Sequence, residues 1–113
     1  MPNTLQVQIS HDGDKVFIKF IGEARIDIED VAYQLDRVIV HHPKTIFVDA
    51  SQLTFLSSIG MSLLVNLKRT AGKSGGTVKI SGLRPDVREA MNRARLLELF
   101  EITDLPEASA PEA

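Results

Sequence analysis

The sequence lacks cysteine altogether, which excludes disulfide bonds and zinc sites built from thiolates. It also lacks tryptophan and contains one tyrosine, so few aromatic rings are available to stack on nucleic-acid bases. No apolar run approaches the roughly 18 residues that a membrane-spanning helix needs. The N-terminus does not combine basic residues with a long apolar segment, as a secretory signal does. We therefore expect a cytoplasmic protein without a membrane segment.

Charges of both signs are well represented, with 13 basic and 15 acidic residues and a net charge of −2. This balance provides little attraction to the phosphates of DNA or RNA. The arginines between positions 84 and 95 alternate with acidic residues, which is typical of a solvated helix face. We therefore expect no nucleic-acid partner.

The chain length of 113 residues fits one domain. We predict that this domain occupies residues 1–103. The final segment, DLPEASAPEA at 104–113, is rich in small, acidic and proline residues and is predicted to be a disordered tail.

Two stretches near the N-terminus alternate between apolar and polar residues, which is the pattern of half-buried strands. The segment HDGDK between them supplies Asp-Gly turn chemistry. We predict an antiparallel hairpin over residues 5–22, closed by Gly22. Two further strands are predicted at residues 46–51 and 77–81, and a last short one around Phe100 and Ile102.

Three segments have apolar residues at helical spacing. The first starts after Asp27, a plausible N-cap, and ends at His41, His42 and Pro43. The second covers residues 58–71, with Gly72 as a left-handed cap. The third begins at Pro85, and its predicted buried face consists of Val87, Ala90, Met91, Ala94 and Leu97. The resulting order, ββαβαβα(β), predicts an α/β fold: a small open mixed sheet with helices packed on it.

The segment AGKS at 71–74 contains the last residues of a phosphate-binding P-loop. That motif needs an earlier glycine at position 67, which is Leu67. The segment also falls at the predicted end of a helix, where carbonyl groups rather than N–H groups point outward. We reject nucleotide binding and expect no cofactor.

Paired hydroxyls at Ser57 and Ser58 lie between an apolar strand and the second helix. A nucleophile elbow has the same topology, but neither serine has the required glycine two residues before it. The three histidines are His11 in a turn and the neighbours His41 and His42 at a helix end, where they suit the helix dipole. Neighbours in sequence point in different directions, so we expect no metal site. A serine hydrolase is retained as a remote alternative.

A serine at a helix N-terminus caps the helix by accepting a hydrogen bond from a backbone N–H. The same place attracts anions, because free N–H groups and the positive end of the helix dipole meet there. A phosphoserine would add about −1.5 to −2 charge at pH 7 without unfolding the helix. A partner docked over the surrounding apolar residues would then meet a desolvated dianion.

The stretch from residue 48 to 91 resembles the core of a STAS domain, the family of bacterial anti-sigma factor antagonists. Its strand ending in aspartate, its serine-containing turn, its apolar helix, its glycine turn and its proline-initiated helix follow the order of the family pattern. The matching residues are Asp49, Phe55, Ser58, Gly60, Gly75, Gly76 and Pro85. The segment GEARIDI at 22–28 is also similar to the family's segment after the second strand, and the resemblance covers about residues 5–102.

The resemblance implies a non-enzymatic partner switch that regulates transcription. Such proteins bind an anti-sigma factor that is often a serine protein kinase, which inactivates them by phosphorylating a serine, and a serine phosphatase reverses the modification. Alignment with the family pattern puts the phosphoacceptor at Ser58, with Ser57 as the alternative. The expected partner-binding residues are Arg25, Asp27, Ser57, Ser58, Ile59, Gly60 and Met61. We also predict that either Ile59 or Met61 faces outward, because the two cannot both face the core if Gly60 packs against the sheet.

Two positions depart from the family pattern. Ser57 stands where the family commonly has aspartate, and Arg25 replaces a common acidic residue. Arg25 could pair with a phosphate if it lies near the serines. An alternative that keeps the fold is an unphosphorylated scaffold or a transporter-associated interaction module, and formation of a homodimer is left open.

Overall fold

The computed structural model describes residues 5–24 and 29–103. The predicted order of elements is confirmed, with a short 3₁₀ turn added before the last strand. The elements are β1 (Gln6–Asp12), β2 (Lys15–Ala24), α1 (Glu29–Ile39), β3 (Thr45–Leu56), α2 (Ser58–Lys73), β4 (Thr77–Ser81), α3 (Pro85–Arg93), the 3₁₀ turn (Leu97–Leu99) and β5 (Glu101–Thr103).

The described strands form one mixed sheet in the order β1-β2-β3-β4-β5. β1 is antiparallel to β2, and the other neighbouring pairs are parallel. Each connection between parallel strands leads to the adjacent strand, so the chain crosses the sheet in one direction from β2 to β5. Because such crossovers are right-handed, all three helices lie on the same face of the sheet. The predicted fold class, an open mixed sheet with packed helices, is therefore confirmed.

A single apolar core fills the space between the sheet and the helices. Inward-facing residues of the central strands alternate along the chain, and Ile46 in β3 is completely buried. Met91 of α3 is equally buried, while Leu64 and Leu67 contribute from α2. The amphipathic helices are therefore held by burial of their apolar faces against the sheet.

The opposite face of the sheet carries a smaller aromatic cluster. The rings of Phe17 and Phe47, on neighbouring strands, stack with centroids 5.0 Å apart. The ammonium group of Lys79 lies 5.7 Å from the centroid of the Phe47 ring. This face therefore combines apolar rings with charged and polar side chains.

Strands β2 and β3 are longer than predicted. β2 continues through Gly22, which has φ +103, and pairs with β3 as far as Ala24 and Leu56. The prediction that Gly22 closes the hairpin strand is wrong, because glycine accepts this backbone angle and the pairing resumes after a register irregularity. Parallel hydrogen bonding along the whole of β2 extends β3 well beyond the predicted residues 46–51.

Two helix ends also differ from the prediction. α2 continues past Gly72 to Lys73, and the left-handed residue is Gly75, with φ +81. Ala94 lies outside α3 and is exposed rather than buried, because the chain leaves the helix and turns at Arg95, which has φ +58. The predicted N-cap Asp27 and the predicted tail at 104–113 lie outside the described residues.

The start of α2 is fastened to the end of β2. The backbone N–H of Ser57 donates a hydrogen bond to the carbonyl oxygen of Ala24, at 2.8 Å. Gly60 is buried at the contact, and a Cβ atom added there would lie 2.7 Å from Ala24 Cβ and 2.9 Å from the Ala24 carbonyl oxygen. The helix therefore approaches the strand more closely than any side chain at position 60 allows.

We expect Gly60→Ala to lower the free energy of unfolding by about 1–3 kcal/mol, because the added methyl group overpacks against backbone atoms. Urea denaturation measures this loss. Gly72→Ala is the matched control, since Gly72 lies in the same helix with open space around it. That change is expected to stabilise the protein by up to about 1 kcal/mol through helix propensity. Equal effects of the two substitutions would contradict the close contact at Gly60.

Candidate functional site

Ser57 is the N-cap of α2. Its backbone is extended, and its hydroxyl oxygen accepts a hydrogen bond from the backbone N–H of Gly60 at 3.1 Å. The residue is half-buried. The hydroxyl of Ser57 is therefore engaged in holding the helix start.

Ser58 is the first residue of α2, and it is exposed. The first N–H groups of a helix have no carbonyl partner within the helix, and they carry its partial positive charge. No acidic residue in the first turn of α2 neutralises this charge. The hydroxyl of Ser58 consequently lies in a position that favours a negatively charged substituent.

Apolar side chains surround the two serines unevenly. Ile59 is 47% exposed, and Phe55, near the end of β3, is 40% exposed. Met61 is half-buried and packs against the core, while Gly60 is buried. Of the pair Ile59 and Met61, Ile59 is therefore the residue that faces outward.

An open groove extends from Ser58 along the outer face of α2. The segment that follows α3 forms its other wall, and its volume is about 400 Å³. The residues that line it with Ser58 are Met61, Ser62, Val65, Asn66, Arg69, Ala94 and Leu96. The hydroxyl of Ser62 donates to the Ser58 carbonyl oxygen at 3.2 Å, and the Arg69 guanidinium donates to Asn66 Oδ1 at 3.1 Å.

Sequence reasoning identified the start of this groove and missed the rest. The lining residues of α2 recur three or four positions apart, so they share one helix face. That spacing is visible in the sequence. The residues, however, combine apolar, polar and basic types, so they do not form the apolar stripe by which a helix face is usually recognised. The second wall comes from Ala94 and Leu96, whose position depends on where α3 ends.

The histidines lie at the other end of the sheet from the serines. His11 of β1 pairs with Val16 near the start of β2, and its ring lies edge-on to that of His41, with centroids 6.5 Å apart. His42 follows His41 just before β3 begins. The serines lie past the far end of β2, roughly 26 Å away along the strand. Since these are all the histidines of the chain, no histidine lies within reach to act as a base for either serine.

Other site types find little support within residues 5–24 and 29–103. No three histidine or acidic side chains of this part of the chain converge on a point that could hold a metal ion. None of its helices is long and apolar enough to cross a membrane. The segment at 71–74 does fall at the carboxyl end of α2, as expected for a sequence that is not a P-loop. The candidate site residues Arg25 and Asp27 lie outside the described residues.

Comparison with known proteins gives the fold a set of solved counterparts. An anti-sigma factor antagonist from Mycobacterium paratuberculosis has a TM-score of 0.81 at 18% identity, over 96% of this chain and 91% of that one. The Bacillus cell fate determinant SpoIIAA in its phosphorylated form has a TM-score of 0.69 at 19% identity, over 88% of this chain and 92% of that one. A sulfate transporter family protein from Wolinella succinogenes gives 0.71 at 19% identity, over 85% and 81% of the two chains.

At these levels of identity the solved structures demonstrate a common fold. A search of curated proteins found no sequence match. The family model of the STAS domain, however, matches residues 16–108, which is most of the chain. The resemblance that the sequence suggested is confirmed: this protein belongs to the STAS domain family.

Proposed function

We propose that this STAS protein is a non-enzymatic partner-switching regulator of the anti-sigma factor antagonist type. It binds an anti-sigma factor that is also a serine protein kinase, phosphorylation of Ser58 ends the binding, and a serine phosphatase restores it. The observation that carries the proposal is the exposed hydroxyl of Ser58 at the N-terminus of α2, at one end of a partly apolar groove. It is supported by the structural likeness to anti-sigma factor antagonists, among them SpoIIAA, which has also been solved in a phosphorylated form.

Because of the position of Ser58, its phosphorylation is expected to affect partner binding and to leave the fold intact. A phosphate there meets the positive end of the helix dipole, where N–H groups lack a carbonyl partner within the helix, so the domain tolerates it. A partner that covers the groove would have to desolvate the same dianion, which is costly without a cation to pair with it. Phosphorylation therefore weakens the complex while the fold persists.

Ser58 is a better acceptor than Ser57. The Ser57 oxygen is bonded to the Gly60 N–H, and removing such a cap costs about 1 kcal/mol of stability. Ser58 is exposed, so a kinase can reach its hydroxyl without opening the helix. Ser57 remains the alternative acceptor in this proposal.

The docking face comprises the groove and the outward side chain of Ile59. Ile59 offers an apolar contact beside the acceptor serine, and Met61 lines the groove at its start. Gly60 is buried, so it contributes to the face by fixing the position of the helix, and its exposed neighbours make the contact with the partner. The resemblance to the family adds Arg25 and Asp27, which lie outside the described residues, to the proposed partner-binding residues.

We expect a serine kinase encoded beside this gene to transfer one phosphate to Ser58, and mass spectrometry after incubation with ATP locates it. Ser58→Ala should abolish the modification. Ser57→Ala is the control: it should lose about 1 kcal/mol of stability and still be phosphorylated. Phosphate that remains in Ser58→Ala, together with intact partner release, would overturn the assignment.

Ile59→Asp is expected to weaken binding of the anti-sigma factor at least tenfold, because it places a charge in the apolar part of the docking face, a change of about 1.4 kcal/mol or more. Titration calorimetry measures the affinity. Val40→Asp provides the control, since Val40 is 69% exposed and lies after α1, away from the groove. Equal losses of affinity in the two variants would place the docking face elsewhere.

A second candidate function keeps the fold and drops the phosphorylation switch. The structural likeness to a sulfate transporter family protein favours a constitutive interaction module of this kind. Ser58→Asp distinguishes the two. A switch predicts clearly weaker partner binding by this variant in a pull-down or calorimetric titration, whereas a constitutive module predicts unchanged binding.

A further inference from the structure

The two edges of the sheet are protected to very different degrees. β5 is only three residues long and begins with Glu101, which lies 3.9 Å from Lys79 of the neighbouring strand. β1 has seven residues, and no charged residue or proline occurs between Leu5 and Ser10. Short strands, charges and prolines are the usual devices that stop an edge strand from pairing with another chain. β5 has two of them, and the first five residues of β1 have none.

No described strand pairs with the outer edge of β1. Its backbone groups on that side are therefore available for a further ladder of hydrogen bonds. The side chains are also suited to extension of the sheet. Val7 and Ile9 are half-buried and pack against the core, while Gln6 and Gln8 on the other face are exposed.

The sequence of β1 is complementary to itself when it is reversed. In an antiparallel pair centred on Gln8, residues directly opposite each other lie on the same face of the sheet. Val7 then meets Ile9 of a second copy, Gln6 meets Ser10, and Gln8 meets Gln8. Apolar residues face apolar residues on the helix-covered side, amides and hydroxyls face each other on the other side, and no like charges come together.

We propose that β1 is a self-association surface, through which two copies of this chain join their sheets in antiparallel register about a two-fold axis at Gln8. The result is one continuous sheet with all helices on the same side. About four to six new backbone hydrogen bonds form along the five paired residues of each strand, Gln6 to Ser10. No residue of β1 lines the groove at Ser58, so the dimer presents two independent docking faces.

Cysteine cross-linking provides a direct test, because the natural chain has no cysteine that could react in the background. In Gln8→Cys, the two Cα atoms at the axis lie about 4.5–5.5 Å apart, within the range that a disulfide spans. Oxidised glutathione should therefore convert this variant to covalent dimers. Gln6→Cys is the matched control on the same strand and face. Its two cysteines are offset by about 14 Å along the strands and should not cross-link.

Sedimentation of the natural chain should show a monomer–dimer equilibrium, and Gln8→Lys should raise its dissociation constant about tenfold by placing like charges opposite each other. Gln8→Glu should have the same effect, and a mixture of the two variants should regain the dimer. Thermal melting checks that Gln8→Lys stays folded, since Lys19 is its neighbour on β2.

A natural chain that stays monomeric at its highest soluble concentration would overturn the proposal. So would a dimer that survives Gln8→Lys, or equal cross-linking of Gln8→Cys and Gln6→Cys. If the β1 edge instead pairs with a different protein, Gln8→Cys will not cross-link in the pure protein. The outcome is independent of the Ser58 switch, because Gln8→Lys should be phosphorylated like the natural chain and Ser58→Ala should dimerise like it.

Discussion

The contact between the end of β2 and the start of α2 determines where the proposed docking face lies. One hydrogen bond joins the Ser57 N–H to the Ala24 carbonyl, and Gly60 lets the helix approach the strand without a side chain between them. If the helix stood farther from the sheet, Leu64 and Leu67 would lose part of their burial. This contact holds the first turn of α2 against the carboxyl ends of β2 and β3.

The neighbouring serines at the start of α2 differ in what their hydroxyls do in the fold. Ser57 uses its hydroxyl oxygen to cap the helix, which is a structural role that any modification would disturb. Ser58, one residue later, contributes only its backbone to the helix and leaves its side chain in solvent. A switch built on the second residue can change the charge of the surface by nearly two units without removing a hydrogen bond that the fold requires.

The two proposed surfaces lie on different parts of the sheet. The docking face follows α2 and the segment after α3, whereas the self-association surface is the outer edge of β1. The two surfaces share no residue, and the central strands of the sheet lie between them. A partner can therefore occupy either surface while the other is empty. An interface at an edge strand leaves the helix faces free for other contacts.

The sequence alone determined the order of the elements, because hydrophobic periodicity and turn residues are local signals. It also determined the family, since the glycines, the proline and the serines follow the family pattern at the right spacing. The lengths of β2 and β3 could not be read in this way. They depend on hydrogen bonding between segments about thirty residues apart, which no local pattern contains.

The tertiary structure likewise decided which serine is engaged and which is exposed. Both hydroxyls suit a helix start by composition, and only the position of the first helical residue relative to Ala24 separates them. The groove has the same origin, because Leu96 reaches α2 only through the packing of α3 on the sheet. Sequence fixes the chemical character of each residue locally, but contacts between distant segments decide which side chains meet and which stay in solvent.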